Sequence, residues 1–181
     1  LLVAALRKLT QVLIGTVKEA IALEKALAEV STISEILPSK LKAIAQAQSL
    51  AFGGKQAAQA KALYQTISAG ITDAQDATKL LTSANKVAIA GVTDVKTAVD
   101  GLTTIVNAYS TSGIKADRVS DVMFATIREG KTTATELSSS FGQVATIASS
   151  TGVKFEELSA ATAALTKRGL ATSDAMTAVR S

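Results

Sequence analysis

The sequence predicts an all-α fold, in which a long N-terminal amphipathic helix is followed by tandem helical hairpins. Hydrophobic residues occupy 48% of the 181 positions and aromatic residues only 3%, so the apolar content is mostly alanine and aliphatic side chains. Proline occurs once, and a sequence that is rich in alanine and poor in proline favours helix. Single glycines recur through the second half of the chain, as expected where successive helices end.

Residues 1–37 are predicted to form one long helix with a heptad seam. Apolar or small residues recur alternately four and three positions apart, the spacing of a helix that packs against partner helices along one face. The large apolar members of this seam are Leu2, Leu6, Leu9, Leu13, Leu23, Leu27, Val30 and Leu37. Ile14, Val17 and Ile21 widen the stripe, which suits an intermolecular bundle and packing on the rest of the chain equally well. We expect the helix to end at Leu37, because the residue before proline avoids the α region.

Residues 38–69 are predicted to form short helices around a Gly-Gly break. Ser39 is a candidate cap for a helix that runs to about Ala51. Gly53 and Gly54 then interrupt the chain, and a further helix is expected from about Lys55 to Ala69.

Residues 70–181 are predicted to form tandem helix hairpins with a 39-residue repeat. The predicted helix joints are the six glycines Gly70, Gly91, Gly113, Gly130, Gly152 and Gly169. Gly113 and Gly152 are one repeat apart and begin similar stretches, "GIKADRVSDVMFATIREG" and "GVKFEELSAATAALTKRG". Units of about 40 residues are typical of stacked helical hairpins, which usually need at least about three repeats.

Hydroxyl residues shortly after these glycines are candidate helix caps. They are Thr72, Thr93, Thr133, and either Thr172 or Ser173. Thr133 and Glu136 also have the spacing of a capping box, in which each side chain bonds to the backbone N–H of the other residue.

The stretch "REGKTTATEL", from Arg128 to Leu137, resembles the end of a nucleotide-binding loop. Such a loop needs a glycine followed by four residues and then Gly-Lys-Ser/Thr, and it must leave a strand and enter a helix. Ala125 stands at the position of that first glycine, and the residues before Gly130 have helical periodicity. We therefore interpret this stretch as a joint between two helices.

The composition argues against most kinds of catalytic and metal-binding site. The chain has no His and no Cys, which excludes disulfides, thiolate metal sites and imidazole-based triads. The net charge of +4 is spread along the chain, and no basic block with interleaved aromatics is present, so no sequence-specific nucleic acid partner is expected. We predict no enzyme activity, no catalytic residue, no cofactor and no metal site.

Two long stretches resemble a known family. "SANKVAIAGVTDVKTAVDGLTTIVNAY", from Ser83 to Tyr109, and "GKTTATELSSSFGQVATIASSTGVKFEELSAATAALTKRGLATSDAMTAVRS", from Gly130 to Ser181, resemble the helical core region of phage tail tape-measure proteins. The resemblance extends from about Gly70 to Ser181, and a weaker resemblance begins at about Ala22. Because the chain begins with Leu1 rather than Met, we expect a fragment of a longer polypeptide.

The resemblance implies a role in the virion. Tape-measure proteins are assembled in the host cytoplasm, pack as oligomers inside the lumen of the tail tube, set tail length and take part in genome delivery. Their partners are further copies of themselves, tail-tube and tail-tip proteins and assembly chaperones, with contact to the host membrane possible during delivery. Two alternatives remain open from the residues alone: a membrane-active segment, supported by the apolar and cationic start of the chain, and a generic α-helical scaffold or partner-binding domain.

Overall fold

The computed structural model describes the backbone of residues 2–180, and the side chains of Arg7 and of residues 10–180. Within this part of the chain the regular structure is helical, so the predicted all-α class is confirmed. The helices are α1 (Leu2–Ser31), α2 (Pro38–Phe52), α3 (Gln56–Ser68), α4 (Ala74–Ala90), α5 (Val95–Ala108), α6 (Ala116–Glu129), α7 (Ala134–Phe141), α8 (Ala145–Ser150), α9 (Phe155–Lys167) and α10 (Thr172–Arg180). A 3-10 turn at Ser110–Ser112 follows α5.

The helices after α1 are arranged in two neighbouring rows. Helices α2, α4, α6 and α9 contact one another in that order, and α3, α5, α7 and α10 do the same in the second row. Contacts between α2 and α3, α4 and α5, α6 and α7, and α9 and α10 connect the rows. Helix α1 packs mainly on α3, at the start of the second row, and also contacts α2. The helices before Gly70 therefore occupy the same rows as those that follow it.

Helices that are one sequence repeat apart occupy successive positions in the same row. Helices α6 and α9 begin at Ala116 and Phe155, which are one repeat apart, and α5 and α7 begin at Val95 and Ala134, again one repeat apart. The second row is less regular, because the stretch that corresponds to α5 is divided into α7 and α8. Each repeat thus adds one element to each row.

The first helix ends earlier than predicted. Helix α1 stops at Ser31, where the hydroxyl and the N–H of Thr32 both bond to the carbonyl of Glu29. Pro38 is the first residue of α2 and Leu37 is its N-cap residue, so the predicted cap at Ser39 is wrong. Proline fits this position because the first helical N–H has no partner within the helix.

Two of the predicted threonine caps are also wrong. Asp73 caps α4 with a carboxylate oxygen that accepts from the N–H groups of Gln75 and Asp76, at 2.8 and 3.0 Å. Asp94 caps α5 by accepting from the N–H of Thr97 at 2.9 Å. In both cases the carboxylate one residue after the threonine takes the place, since Asp is at least as good a cap as Thr and its charge suits the helix dipole.

The last two candidate caps differ from each other. Thr133 caps α7 in a complete capping box with Glu136. Neither Thr172 nor Ser173 precedes α10, because the helix already begins at Thr172.

A buried amide cluster joins three helices near the start of the rows. Asn85 of α4 donates to the side-chain oxygens of Gln48 in α2 and Gln59 in α3, at 3.2 and 3.0 Å, and accepts from Gln59 at 2.7 Å. Gln48 donates in turn to the hydroxyl of Thr82 at 3.0 Å. The three amides are at most 6% exposed. Because a buried amide without a partner is costly, this cluster holds α2, α3 and α4 in one register.

We expect Asn85→Ala to lower the free energy of unfolding by about 2–4 kcal/mol, because it leaves buried groups of Gln48 and Gln59 without partners. Urea unfolding followed by circular dichroism measures this loss. Asn107→Ala is the matched control: its amide donates to the carbonyl of Ala69 at 2.9 Å but is solvent-exposed, and its loss should cost less than about 1 kcal/mol. Equal losses in the two variants would contradict a special role for the buried cluster.

Candidate functional site

The stretch from Arg128 to Leu137 connects α6 to α7. Two backbone N–H groups of the loop already donate within the protein: that of Lys131 to the hydroxyl of Thr166 in α9 at 3.2 Å, and that of Thr133 to the Glu136 carboxylate at 3.1 Å. The chain enters this stretch from a helix rather than from a strand. The geometry is therefore that of a helix joint and differs from a phosphate-binding loop.

Hydroxyl contacts link successive joints. The hydroxyls of Thr132 and Thr172 lie 2.8 Å apart, and those of Thr93 and Thr135 lie 2.9 Å apart. One carboxylate oxygen of Glu136 lies 3.3 Å from the Thr132 hydroxyl and 3.1 Å from the Thr172 hydroxyl, so it accepts from whichever of the two does not donate to the other, in addition to its capping bond. The start of α7 is thus bonded to the joint before α5 on one side and to the start of α10 on the other.

The six predicted joint glycines all lie at or just beyond helix or turn ends, and they fall into two kinds. The first kind has positive φ angles between 68° and 102°: Gly70, Gly113, Gly152 and Gly169. The second kind, Gly91 and Gly130, has φ angles of −87° and −99°, which any residue can adopt. Their lack of a side chain serves close packing instead. A Cβ on Gly130 would lie 2.7 Å from Thr166 Oγ1 and 3.0 Å from Ala163 Cα, and one on Gly91 would meet the Ala134 side chain.

Gly101 is a close-packing glycine that the sequence analysis did not identify. It lies in the middle of α5, where a Cβ would be 2.8 Å from the Cβ of Ser138 in α7. It follows no helix end, so the only available signal was a glycine in an otherwise helical run, which often has a packing reason.

The predicted heptad seam is divided between two environments. Leu23, Leu27 and Val30 are buried in the core that α1 shares with α3. Leu13 is 57% exposed and Leu37 is 69% exposed. The side chains of Leu2, Leu6 and Leu9 lie outside the described part of the chain. Leu37 lies beyond the end of α1, so the seam does not continue along one helix to residue 37.

The exposed side of α1 carries an apolar stripe, which we call the arm face: Leu13, Ile14, Val17 and Ile21. Each of these side chains is at least 50% exposed, and residues 10–22 are exposed throughout. Lys18 and Lys25 follow Ile14 and Ile21 by one helical turn and so lie along one edge of this face. Neither lysine forms an ion pair with any described residue.

A groove of about 520 Å³ runs between α6 and α9 on the first row. Its lining includes Val122 and four alanines, namely Ala125, Ala160, Ala163 and Ala164. Asp121 and Glu129 lie on its α6 side, and Arg118 pairs with Glu156 across one end at 2.9 Å. The backbone N–H of Glu156 and this arginine hold the pKa of the Glu156 carboxyl below its usual range. We call this feature the alanine groove.

The region one repeat earlier, beside α4 and α6, has a different surface. Lys86 and Phe124 stand there at the positions that Ala125 and Ala163 occupy in the alanine groove. A cavity also lies beside α4, but lysines line it and it extends toward Ile71 and Ile114 rather than along the two helices. The alanine surface of α6 and α9 therefore does not recur one repeat earlier.

Comparison with known proteins identifies the family. The family model described as phage-related minor tail protein matches residues 42–181, more than half of the chain. The chain belongs to the phage-related minor tail protein family.

A probable tape measure protein of Clostridium phage phiCD119 is 35% identical over 103 residues, which cover 55% of this chain and 11% of the relative. The chain therefore matches about a tenth of that protein's length. No solved structure matches it significantly. The resemblance to tail tape-measure proteins is confirmed by the family match and this relative.

None of the helices in the described part of the chain has the length and apolarity that crossing a membrane requires. No grouping of three or more acidic, His or Cys side chains that could hold a metal ion occurs among the same residues.

We expect Gly130→Ala to lower the free energy of unfolding by about 1–3 kcal/mol, because the new methyl overpacks the contact with Ala163 and Thr166. Gly15→Ala is the matched control. A Cβ at Gly15 meets nothing within 4 Å, so alanine should raise stability by about 0.5–1 kcal/mol through its helix propensity. Denaturant titration of the two variants measures both signs, and stabilisation by Gly130→Ala would contradict the close approach.

Asp94→Ala should lower stability by about 1 kcal/mol near neutral pH. The backbone N–H and hydroxyl of Thr97 hold the Asp94 pKa below its ordinary value. The stabilisation is therefore complete above the unfolded-state pKa of about 3.9 and is lost as pH falls through the lower folded-state pKa.

Thermal unfolding of Asp94→Ala and of the parent chain at a series of pH values tests this prediction. The difference between them should shrink in acid. Asp100→Ala, which removes an exposed carboxylate on the same helix paired with Lys96 at 3.6 Å, should change stability by only a few tenths of a kcal/mol. A pH-independent deficit in Asp94→Ala would refute the charge contribution.

Proposed function

We propose that the chain is a structural, non-enzymatic segment of a phage or prophage tail tape-measure protein. In this proposal the whole protein packs inside the tail tube, sets tail length and takes part in genome delivery. The observation that carries it is the 35% identity to a probable tape measure protein, within a family match that covers residues 42–181. The all-helical architecture and the joints built from packing contacts support a structural role.

The proposal places the segment in the lumen of the tail, after assembly in the host cytoplasm. Its partners would be tail-tube and tail-tip proteins, further copies of the same chain and assembly chaperones. The arm face supports association between copies, because monomeric proteins rarely leave a contiguous set of large apolar side chains in water.

The folded geometry indicates how this segment would contribute to length. Neighbouring packed helices are separated by about 8–10 Å, so one more 39-residue unit would lengthen a row by about 10 Å. The same residues in a single extended helix would span about 60 Å. We infer that this segment stays folded and contributes little length, and that most of the measuring is done by other parts of the protein.

A second candidate function is contact with the host membrane during delivery. The arm face combines exposed apolar side chains with Lys18 and Lys25 at its edge, a pattern found in helices that lie on anionic lipid. Flotation with vesicles that contain anionic lipid tests this candidate. Binding that is lost in Lys18→Glu/Lys25→Glu would support it, and absence of binding at low salt would end it.

We expect deletion of residues 130–168 from the parent phage to shorten the tail by about 10 Å or less. The deletion joins Glu129 to Gly169, which lies one repeat after Gly130, so α10 follows α6 in the register that α7 had. Tail length measured by electron microscopy gives the result. A loss of about 60 Å would show that the unit is extended in the tube and would contradict the folded segment.

Duplication of residues 130–168 is the matched control for this deletion. It should lengthen the tail by no more than about 10 Å, whereas an extended helical ruler would add about 60 Å. Tails of parental length in both the deletion and the duplication variant would be compatible with a folded segment. Unchanged tails in a phage that lacks the segment altogether would refute a role in tail structure.

A further inference from the structure

We propose that the arm face of one copy docks into the alanine groove of a second copy. This inference rests on the proposed association between copies and names the two surfaces that meet. The arm face lies in the middle of α1, from Leu13 to Ile21, and the groove lies between α6 and α9 in the C-terminal part of the chain. The contact therefore joins two different surfaces.

The shapes of the two surfaces are complementary. The arm face presents Ile14, Val17 and Ile21, which are 50%, 57% and 64% exposed. The groove offers an alanine surface where the preceding repeat has Lys86 and Phe124. Large side chains that fill the spaces left by alanines give the interdigitation that helix packing requires.

The lengths of the two surfaces also agree. From Leu13 to Ile21 the arm face extends about 12 Å along α1, at about 1.5 Å per residue. The α6 side of the groove, from Arg118 to Glu129, extends about 16 Å on the same basis. One stretch of helix therefore fits within the groove.

Charge supports the same pairing. Lys18 and Lys25 lie on one edge of the arm face, about 10 Å apart along the helix. Asp121 and Glu129 lie on the α6 side of the groove, about 12 Å apart. The two basic residues of the groove are Arg118, which is already paired with Glu156, and Lys167 on the α9 side. Asp121 has no ion pair with a described residue, and Glu129 pairs only with its exposed neighbour Arg128 among them. The basic edge of the arm can thus lie along the acidic side of the groove.

A contact between different surfaces has a structural consequence. It leaves each copy with one free arm face and one free groove, so copies join head to tail and produce a closed ring or an open filament. Pairing of two arm faces would instead stop at a dimer or a small bundle and would leave the groove unused.

Charge reversal in the 181-residue chain tests this contact. The arm variant is Lys18→Glu/Lys25→Glu, and the groove variant is Asp121→Lys/Glu129→Lys. All four positions are exposed, so both variants should keep the helical content and thermal stability of the parent. Sedimentation velocity at low salt should show the parent assembled and each variant at least about tenfold weaker in self-association, because two attractive pairs become repulsive.

Recombination of the variants gives the decisive result. A mixture of the arm and groove variants should recover assembly, because every contact in an alternating arrangement joins opposite charges. The acidic arm of one variant meets the basic groove of the other, and the unchanged basic arm meets the unchanged acidic groove. The variant with all four substitutions should also assemble alone. Ala164→Phe, which fills the groove, should weaken association, whereas Ala178→Phe at an exposed position of α10 should leave it unchanged.

Three results would overturn the docking proposal. The groove variant could assemble as tightly as the parent, which would indicate pairing between arm faces. The mixture could fail to recover, which would show that the two sets of charges do not meet. The parent could remain a monomer at about 100 µM, a concentration far above a micromolar dissociation constant. None of these results bears on the tail-length experiment, so a failure of docking and a failure of the tail role are separable.

Discussion

The close approach of successive joints is the constraint on which the rest of this structure depends. Gly130 has no side chain, so α9 can pack directly against the end of α6, and the N–H of Lys131 reaches the hydroxyl of Thr166. The linked hydroxyls of Thr132 and Thr172 hold the next joint in place. With the joints fixed at this spacing, the helices of both rows recur in the same register. The alanine groove then arises because small side chains occupy the facing surfaces of α6 and α9.

The interior shows how a chain with few aromatic residues achieves this packing. Small side chains let the helices approach closely, and buried threonines satisfy their own hydroxyls within the helix: Thr66, Thr126 and Thr162 each donate to the carbonyl four residues earlier. Three of the six aromatic rings meet at one place, where Phe155 makes edge-on contacts with Tyr109 and Phe141 at centroid distances of 5.8 and 5.2 Å. Burial raises the pKa of the Tyr109 hydroxyl, with a further contribution from nearby Glu156. Interlocking of small residues, rather than a large aromatic core, therefore gives the two rows their register.

Features that depend on local chemistry were accessible from the sequence, whereas features that depend on pairs of distant residues were not. Helix propensity and the glycine spacing were sufficient for the all-α class, and the capping box at Thr133 follows from two residues three positions apart. The amide cluster around Asn85 could not be predicted, because each of its residues alone reads as a surface polar group. The alanine groove needs two helices to be aligned before it is visible. The caps at Asp73 and Asp94 were missed for a subtler reason, since adjacent Thr and Asp compete for one N-cap position with similar free energies.

Residues 10–22 of α1 differ energetically from the rest of the described chain. Residues 10–22 are all exposed, and Glu19 reaches Lys55 before α3 in an exposed ion pair at 3.6 Å. This stretch therefore buries little apolar surface, and a helix with few tertiary contacts is marginal in water. Gly15 weakens this stretch further, by about 0.5–1 kcal/mol relative to alanine. A partner that covers the arm face supplies the apolar burial that the other helices obtain from their neighbours within the chain. Part of that gain is offset by the entropy of ordering the arm, so association through this face is weaker than its apolar area alone implies. A contact of this strength suits copies held together at high local concentration, which is the condition that the proposed location inside a tail tube would supply.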